Sequence, residues 1–353
     1  SSTSRGLGDV YKRQVEKVLV TGASGYIALH CITELLNNGY AVRGSLRNMN
    51  RENEVREAVK TIVSDNNLEF CKLDLMSDDG WDDSASKCDY MIHLASPFIV
   101  GEPKNEDELI KPATEGTMRA LKAARKAGIK KVILTSSIVA IAYGHNKKIC
   151  GSNDWTNTAK DVGAYNKSKT IAEKLAWEFI NLPENNELKM TTIHPGFVMG
   201  PLLSDDTKGA SANFMAKMIL GKFPALPDVY LHISDVRDTA MLHVKALKSE
   251  ASDSKRILTT STNDYHITKI AKMVKDSGFK KVSTKIIPTM LFRVFALFNL
   301  EMKGILKNIR RGSYQTDNTQ TVTIFNWEPT PIEKTVSDMA LSMSCLLYTS
   351  PSP

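Results

Sequence analysis

A short apolar run leads directly into a glycine-containing turn and then into a helical pattern near the beginning of this sequence. The run spans residues 17–21, and the turn has the pattern Gly22-x-x-Gly25-x-x-Ala28. An apolar run bounded by glycine is typical of a buried parallel strand. Residues 26–37 have helical periodicity, which stops at Asn38-Gly39, a C-cap signal. A strand, a tight turn and a helix in this order predict the start of a parallel sheet.

Apolar runs and helical patterns go on alternating along the first two thirds of the chain. Further strands are predicted at 41–46, 68–73, 90–94, 131–135 and 190–194, with the clearest helices at 106–127 and 164–180. This alternation predicts an α/β fold with a doubly wound, mostly parallel Rossmann sheet. The pattern loosens after Pro195, so we expect a smaller, partly helical C-terminal lobe, built mainly from about 197–235 and 260–344.

The two ends of the chain can be explained by one DNA element in opposite orientations. Residues 9–14 back-translate to a sequence whose reverse complement, shifted by one base, encodes residues 345–350. The element resembles a sequencing adapter, and two unrelated disordered tails are the alternative. We therefore expect residues 1–14 and 345–353 to be adapter-derived tails, and residues 15–344 to form a single domain. On this interpretation the true termini are unseen, which leaves a targeting peptide open.

Composition argues against several classes of partner. The net charge is +7 without a long basic run, so we expect no nucleic acid. The cysteines of residues 15–344 form no Cys-x-x-Cys pair and have no histidine cluster beside them, so we expect no metal and a reducing, cytoplasmic location. The most apolar late segment, 290–300, is too short to span a membrane. We therefore expect no membrane partner, and we expect this segment to form an amphipathic helix over the substrate site. The protein is expected to be a monomer or a homodimer.

The glycine turn and the end of the second predicted strand indicate a dinucleotide. Glycine lets the backbone approach a pyrophosphate whose charge faces the following helix, although an ordinary tight turn is the alternative. An NAD enzyme places an acid after the second strand, but the first acid here is Glu52. Arg47 can pair with a 2′-phosphate and Arg51 can assist, unless both lie in a solvated loop. We expect NADP(H) as the preferred cofactor, with NAD(H) as the alternative.

A phenol and an ammonium stand one helical turn apart at Tyr165 and Lys169. We expect the ammonium and an oxidised nicotinamide to lower the pKa of the phenol, which ordinarily lies near 10. Tyr165 would then give its proton to a developing alkoxide. A hydroxyl after the fifth predicted strand, which we assign to Ser137, would hydrogen-bond the substrate oxygen. An amphipathic surface pair is the alternative for Tyr165 and Lys169.

Together these motifs resemble the extended short-chain dehydrogenase/reductase superfamily, and most of all its dihydroflavonol-4-reductase-like branch of aldehyde and ketone reductases. The stretches that carry the resemblance are 21–27, 42–47, 93–97, 134–137, 165–169, 194–196, 232–238 and 326–329. The resemblance covers about residues 16–343. Two positions depart from the superfamily pattern: Ala28 replaces a common glycine, and residues 112–116 lack an asparagine that supports a proton relay in many members.

The resemblance assigns roles to individual residues. It implies that Ser137, Tyr165 and Lys169 are catalytic, and that Tyr165 and Lys169 also contact the cofactor. It implies that the pyrophosphate is lined by Gly22, Ser24, Gly25, Tyr26 and Ile27. It implies that the rest of the cofactor contacts Arg47, Asp74, Leu75, Leu94, Ala95, Ser96, Pro195, Gly196 and Val198.

The expected activity is NADPH-dependent reduction of a hydrophobic or aromatic aldehyde or ketone. Residues 138–142 are apolar, and Phe214, Met215, Met218 and Phe223 would add an apolar wall, with ordinary core packing as an equal alternative. A nucleotide-sugar epimerase or dehydratase and a 3β-hydroxysteroid-type dehydrogenase are the alternative activities on the same fold. A catalytically idle NADPH sensor is a further alternative, which the presence of both Tyr165 and Lys169 disfavours.

Overall fold

The computed structural model describes residues 15–97, 101–205, 209–308 and 312–349. Its strands are β1 (Lys17–Thr21), β2 (Ala41–Leu46), β3 (Leu68–Lys72), β4 (Tyr90–His93), β5 (Lys131–Thr135), β6 (Ile149–Cys150), β7 (Lys189–His194), β8 (Phe197–Met199), β9 (Tyr230–Leu231), β10 (Ile233–Asp235), β11 (Arg256–Leu258), β12 (Tyr265–His266) and β13 (Gln315–Thr316). Its α-helices are α1 (Tyr26–Asn37), α2 (Glu52–Lys60), α3 (Trp81–Ala85), α4 (Asp107–Lys126), α5 (Ala164–Ile180), α6 (Ala210–Ile219), α7 (Val236–Lys248), α8 (Ile267–Asp276), α9 (Thr289–Ala296), α10 (Leu300–Asn308), α11 (Thr319–Phe325) and α12 (Ile332–Thr349).

Seven strands form a central parallel sheet in the order β11-β7-β5-β4-β1-β2-β3. The predicted α/β fold is therefore confirmed, and the strands and helices predicted up to residue 194 lie within about one residue of their observed bounds. β11 is a seventh strand that the sequence pattern did not reveal, because only three of its residues pair. From β1 the chain adds β2 and β3 on one side of the sheet, and then returns to add β4 on the other side of β1, so the strand order reverses between β1 and β4. At such a reversal the loops after the two strands diverge and leave a crevice for a ligand.

Buried apolar side chains cover both faces of this sheet. On one face α1 and α7 pack through residues such as Leu29, Ile32 and Leu242. On the other face α4 and α5 pack through Leu121 and Phe179. Because both faces are covered, strands such as β5 are buried along their whole length, which explains their continuous apolar sequences.

A third cluster of buried side chains joins α6, α8 and α12, with Met215, Ile270 and Met339 among its members. The division into a sheet and a substrate lobe, like the adapter-derived tails, stays a prediction; α12 runs on into the expected tail as far as Thr349. Among the helices that the structure describes, none combines the length and the apolar character that crossing a bilayer requires.

Candidate functional site

The glycine turn after β1 forms a concave backbone surface, the cradle, beside the point where the strand order reverses. Gly22 has a φ of +72°, which favours glycine, and a Cβ there would lie 3.1 Å from the Cα of Ala95. Gly25 is the N-cap of α1 and offers no side chain to its first turn. The free N–H groups of that turn and the partial positive charge of the helix end therefore face the cradle. This arrangement fits a pyrophosphate.

The side chain of Thr21 joins the loop after β1 to the loop after β4. The Thr21 hydroxyl accepts hydrogen bonds from the backbone N–H groups of Leu94 and Ala95, both at 3.1 Å. It also lies 2.8 Å from Nδ1 of His93, which accepts the hydroxyl proton in this arrangement. Burial, aided by the charge of Lys169, lowers the pKa of His93 to about 3, so the ring is neutral. Sequence reasoning missed this pair, whose members stand 72 residues apart.

A cavity of about 660 Å³ extends from the glycine turn to the N-terminal end of α5 and onward to α6 and α10. Most of the predicted site residues line it: Gly22, Ser24, Gly25, Tyr26, Ile27, Leu94, Ser96, Ser137, Tyr165, Lys169, Pro195, Gly196 and Val198. Tyr26 is fixed there because its hydroxyl donates to the carbonyl oxygen of Gly200 at 2.7 Å. The fold thus brings together residues that are up to 176 positions apart, from Gly22 to Val198.

Four predicted cofactor residues do not line this cavity. Asp74 Oδ1 accepts from the N–H of Met76 at 2.9 Å, which closes a local turn. Leu75 packs against Gly116, and Ala95 packs against the glycine turn. Arg47 is exposed at the end of β2. Their roles toward the cofactor stay predictions.

Arg51 is the arginine after β2 that lines the cavity. Its Nε and Nη2 donate to the two carboxylate oxygens of Glu54 at 2.8 and 2.6 Å. This bidentate pair orders the guanidinium of a residue that lines the cavity. Arg51 therefore lines the cavity and Arg47 does not, and which of the two arginines holds a 2′-phosphate stays a prediction.

Three polar side chains meet where β5 and α5 approach each other. Tyr165 hydrogen-bonds with Ser137, whose hydroxyl also donates to the carbonyl oxygen of Pro195 at 3.3 Å. Lys169 Nζ donates to the carbonyl oxygen of Thr135 at 3.2 Å. Tyr165 and Lys169 belong to the same face of α5, as their spacing predicts.

Burial dominates the acid–base properties of this group. It raises the pKa of Tyr165 to about 12, against the hydrogen bond with Ser137, which lowers it. It lowers the pKa of Lys169 to about 8, against the negative charge of Glu173, which raises it. For these side chains alone the pKa of Tyr165 therefore lies above its ordinary value, opposite to the expected direction, because loss of hydration outweighs the hydrogen bond with Ser137. The part of that expectation that concerns an oxidised nicotinamide stays a prediction.

A buried carboxylate on the next turn of α5 anchors this group, and sequence reasoning missed it. Glu173 Oε2 accepts from the Ser136 hydroxyl at 2.6 Å and from His194 Nε2 at 2.9 Å. Its Oε1 accepts from Arg256 Nε at 2.7 Å. Burial raises the pKa of Glu173, but His194 and Arg256 outweigh it and hold the pKa well below its usual range. The available signal was the repeat of four residues from Tyr165 through Lys169 to Glu173.

The far part of the cavity has an aromatic wall. The rings of Phe197 and Phe214 meet edge to face at 5.6 Å, and Phe223 lies 5.6 Å beyond Phe214. Ile138 and Val139 continue the apolar lining beside Ser137. Met215 and Met218 instead join the buried cluster of α6, α8 and α12, so the expected wall is divided between cavity and core.

The helix that closes the cavity is α10, not the predicted segment 290–300. Glu301, Gly304 and Ile305 line the cavity, whereas no residue of α9 does. Lys217 Nζ holds the Glu301 carboxylate at 2.7 and 2.9 Å, so the closure is tied to α6. Within the described ranges, no three histidine, cysteine, aspartate or glutamate side chains come together to hold a metal ion.

Residues 18–259 match the NAD dependent epimerase/dehydratase family. The chain belongs to this family. Membership confirms the expected superfamily, and dihydroflavonol 4-reductases are among the similar proteins.

Several curated reductases are similar to the chain over most of its length. Cinnamoyl-CoA reductase CAD2 of Medicago truncatula is 32% identical over 256 residues, which cover 70% of this chain and 77% of the relative. The bifunctional dihydroflavonol 4-reductase/flavanone 4-reductase of Pyrus communis is 28% identical and covers 74% of this chain and 76% of its own length. Among solved structures, yeast methylglyoxal/isovaleraldehyde reductase Gre2 complexed with NADPH aligns with a TM-score of 0.76. It is 22% identical and covers 94% of this chain and 99% of its own. This likeness shows the shared fold.

Proposed function

We propose that this chain reduces a hydrophobic or aromatic aldehyde or ketone to the alcohol with NADPH, and that Tyr165 donates the proton. The single observation that carries the proposal is the cavity itself. It joins a phosphate cradle to a phenol and continues into an aromatic wall. The similar curated proteins support the reaction class, because they include cinnamoyl-CoA and dihydroflavonol reductases. The Gre2 structures that contain NADPH support the cofactor.

The residues at the cradle fit the proposed cofactor. The open first turn of α1 and the side-chain-free Gly22 would hold the pyrophosphate. Arg51 would hold the 2′-phosphate, with Arg47 as a second cation from the loop. Gly196 would keep the wall near the nicotinamide thin, because no side chain fits there: a Cβ would lie 2.3 Å from the carbonyl oxygen of His232. NADPH supplies the hydride when it is bound.

The protonation states suit proton donation. With a pKa of about 12, Tyr165 is a neutral phenol at neutral pH and has a proton to give. Ser137 would hold the same substrate oxygen and stabilise its growing negative charge. Lys169, with a pKa of about 8, is mostly charged at neutral pH and would stabilise the phenolate that remains.

The lining favours an apolar substrate over a nucleotide sugar. Among the residues that line the cavity, the lysines and arginines are Arg51 and Lys169. The proposed reaction uses both, which leaves the aromatic end without a cation for a second diphosphate. The apolar side chains of Ile138, Phe214 and Phe223 would instead contact an aliphatic or aromatic body.

The proposal is tested by following NADPH oxidation by the full chain against aromatic and aliphatic aldehydes and ketones, with nucleotide sugars as controls. We expect Tyr165→Phe to lose turnover by at least a hundredfold while NADPH affinity stays within about twofold, because only the proton donor is removed. The matched control is Tyr40→Phe, the same change in the buried cluster beside α1. Undiminished turnover in Tyr165→Phe contradicts the mechanism. Conversion of a nucleotide sugar without net NADPH consumption contradicts the reaction class.

A further inference from the structure

An apolar surface on and after α9 is exposed to solvent. The relative exposure is 88% for Phe298, 78% for Leu297 and 74% for Met290. Six exposed apolar side chains form this surface, which we call the apolar patch: Met290, Leu291, Val294, Phe295, Leu297 and Phe298. Contiguous apolar surfaces of this kind on soluble proteins commonly mark a place where a partner or a membrane binds.

The segment that carries the apolar patch is fixed to the body of the protein by other groups. Phe292 and Ala296 form the buried side of α9. The backbone N–H of Glu102 donates to the carbonyl oxygen of Leu300 at 3.3 Å. A Cβ on Gly304 would lie 2.9 Å from the backbone of Gly101, so α10 approaches that backbone closely. The apolar patch is therefore the outer side of a docked segment.

The sequence around the apolar patch is rich in basic residues, of which Lys307 is itself paired with Asp161 and Glu102. Residues 280–308 contain six lysines and arginines and one acid, Glu301. That acid is neutralised by its ion pair with Lys217. Arg293 and Lys303 are exposed, on α9 and α10 respectively. Exposed apolar side chains flanked by basic residues are the pattern of helices that lie in the surface of an anionic membrane.

We propose that the apolar patch docks this protein on the surface of an anionic lipid bilayer. Phe298, Leu297 and Met290 enter the boundary between headgroups and acyl chains, and Arg293 and Lys303 face the anionic headgroups. The sequence argument expected no membrane partner because no segment is long enough to span, but a helix that lies on a surface needs no such length. Since α10 continues from the patch to the cavity wall, docking brings that wall close to the membrane.

The test is flotation of the full chain with vesicles of phosphatidylserine and phosphatidylcholine, and separately of phosphatidylcholine alone, over a series of salt concentrations. We expect binding to the anionic vesicles that weakens with salt. The double variant Leu297→Ser, Phe298→Ser removes the most exposed apolar groups and is expected to lower the bound fraction at least tenfold. Arg293→Gln with Lys303→Gln is expected to weaken binding to the anionic vesicles alone.

The matched control is Ile62→Ser with Ile149→Ser, which removes exposed apolar side chains elsewhere on the surface. It is expected to bind vesicles like the unchanged protein, and all variants are expected to keep their melting temperature. No binding to anionic vesicles at low salt overturns the proposal. So does a dimer, measured by sedimentation, that the Leu297→Ser, Phe298→Ser variant dissociates while vesicles stay unbound. The vesicle assay does not use catalysis, so its outcome is separate from that of the reductase proposal.

Discussion

Replacing Glu173 by glutamine is predicted to destabilise the protein and to shift its pH profile. The substitution keeps the shape of the side chain but removes the negative charge that faces Arg256 and His194. Both partners are buried against it, with donor–acceptor distances of 2.7 and 2.9 Å. Arg256 keeps its bond to the carbonyl oxygen of Ser152 and its place 3.7 Å from the ring centre of Trp155, but it loses its anion.

The expected cost follows from burial. Glu173 has a relative exposure of 1%, so solvent does not screen the pair. Removing one partner of a buried ion pair leaves the other charge uncompensated, which costs about 3–5 kcal/mol. The pKa of Glu173 lies below its ordinary value of 4.5 in the folded chain. Its contribution is therefore fully present above pH 4.5 and is lost as the pH falls through the folded pKa. The difference between Glu173→Gln and the unchanged protein should shrink below about pH 4.5.

The assay is urea unfolding of both proteins at pH 7 and at several values below pH 5, with Glu178→Gln as the matched control. Glu178 is an exposed residue of the same helix, and its substitution should change the free energy of unfolding by less than about 0.5 kcal/mol. A loss below 1 kcal/mol at pH 7, or a loss that grows as the pH falls, would refute the argument from the buried pair.

A second measurement separates positioning from mere stability. Burial lowers the pKa of Lys169 and the charge of Glu173 raises it, which together leave it at about 8. The charged groups around it also include Arg256, and His194 and His93 are the nearby histidines. In Glu173→Gln the basic limb of the turnover profile should therefore move to lower pH. An unmoved limb in a folded variant would mean that Glu173 only holds the fold.

Three other predictions test the cavity. Arg51→Ala should weaken the binding of NADPH by about tenfold to a hundredfold and leave the binding of NADH unchanged, because a charged hydrogen bond contributes about 1.5–3 kcal/mol. Titration of both cofactors checks this, and a larger loss of NADPH affinity in Arg47→Ala would favour Arg47 as the phosphate ligand. Turnover at saturating NADPH should fall as the pH rises through about 8, since Lys169 then loses its charge; a rate that stays level to pH 9.5 contradicts that role. Gly196→Ala should lower the free energy of unfolding, measured by thermal unfolding, by about 1–3 kcal/mol. Gly151→Ala should lower it much less, because its Cβ would meet its nearest neighbour at 3.4 Å.

The parts of the site that depend on local sequence were predictable. A strand followed by Gly22 and Gly25 favours this turn and helix, because the positive φ of Gly22 and the open helix start at Gly25 are local properties. Tyr165 and Lys169 share a helix face by spacing alone. Which of Arg47 and Arg51 lines the cavity was not predictable, because only the path of the chain after β2 decides it.

Glu173 shows why the rest required the fold. Its spacing placed it on the face of Tyr165 and Lys169, but a polar stripe on a helix ordinarily faces solvent. What buries it is the packing of α5 against β5, β7 and β11, which brings His194 from 21 residues away and Arg256 from 83. These partners are needed because a carboxylate is costly to bury without compensation. The same burial takes water away from Lys169, so the carboxylate that sequence reasoning passed over is the group that opposes loss of the lysine's charge.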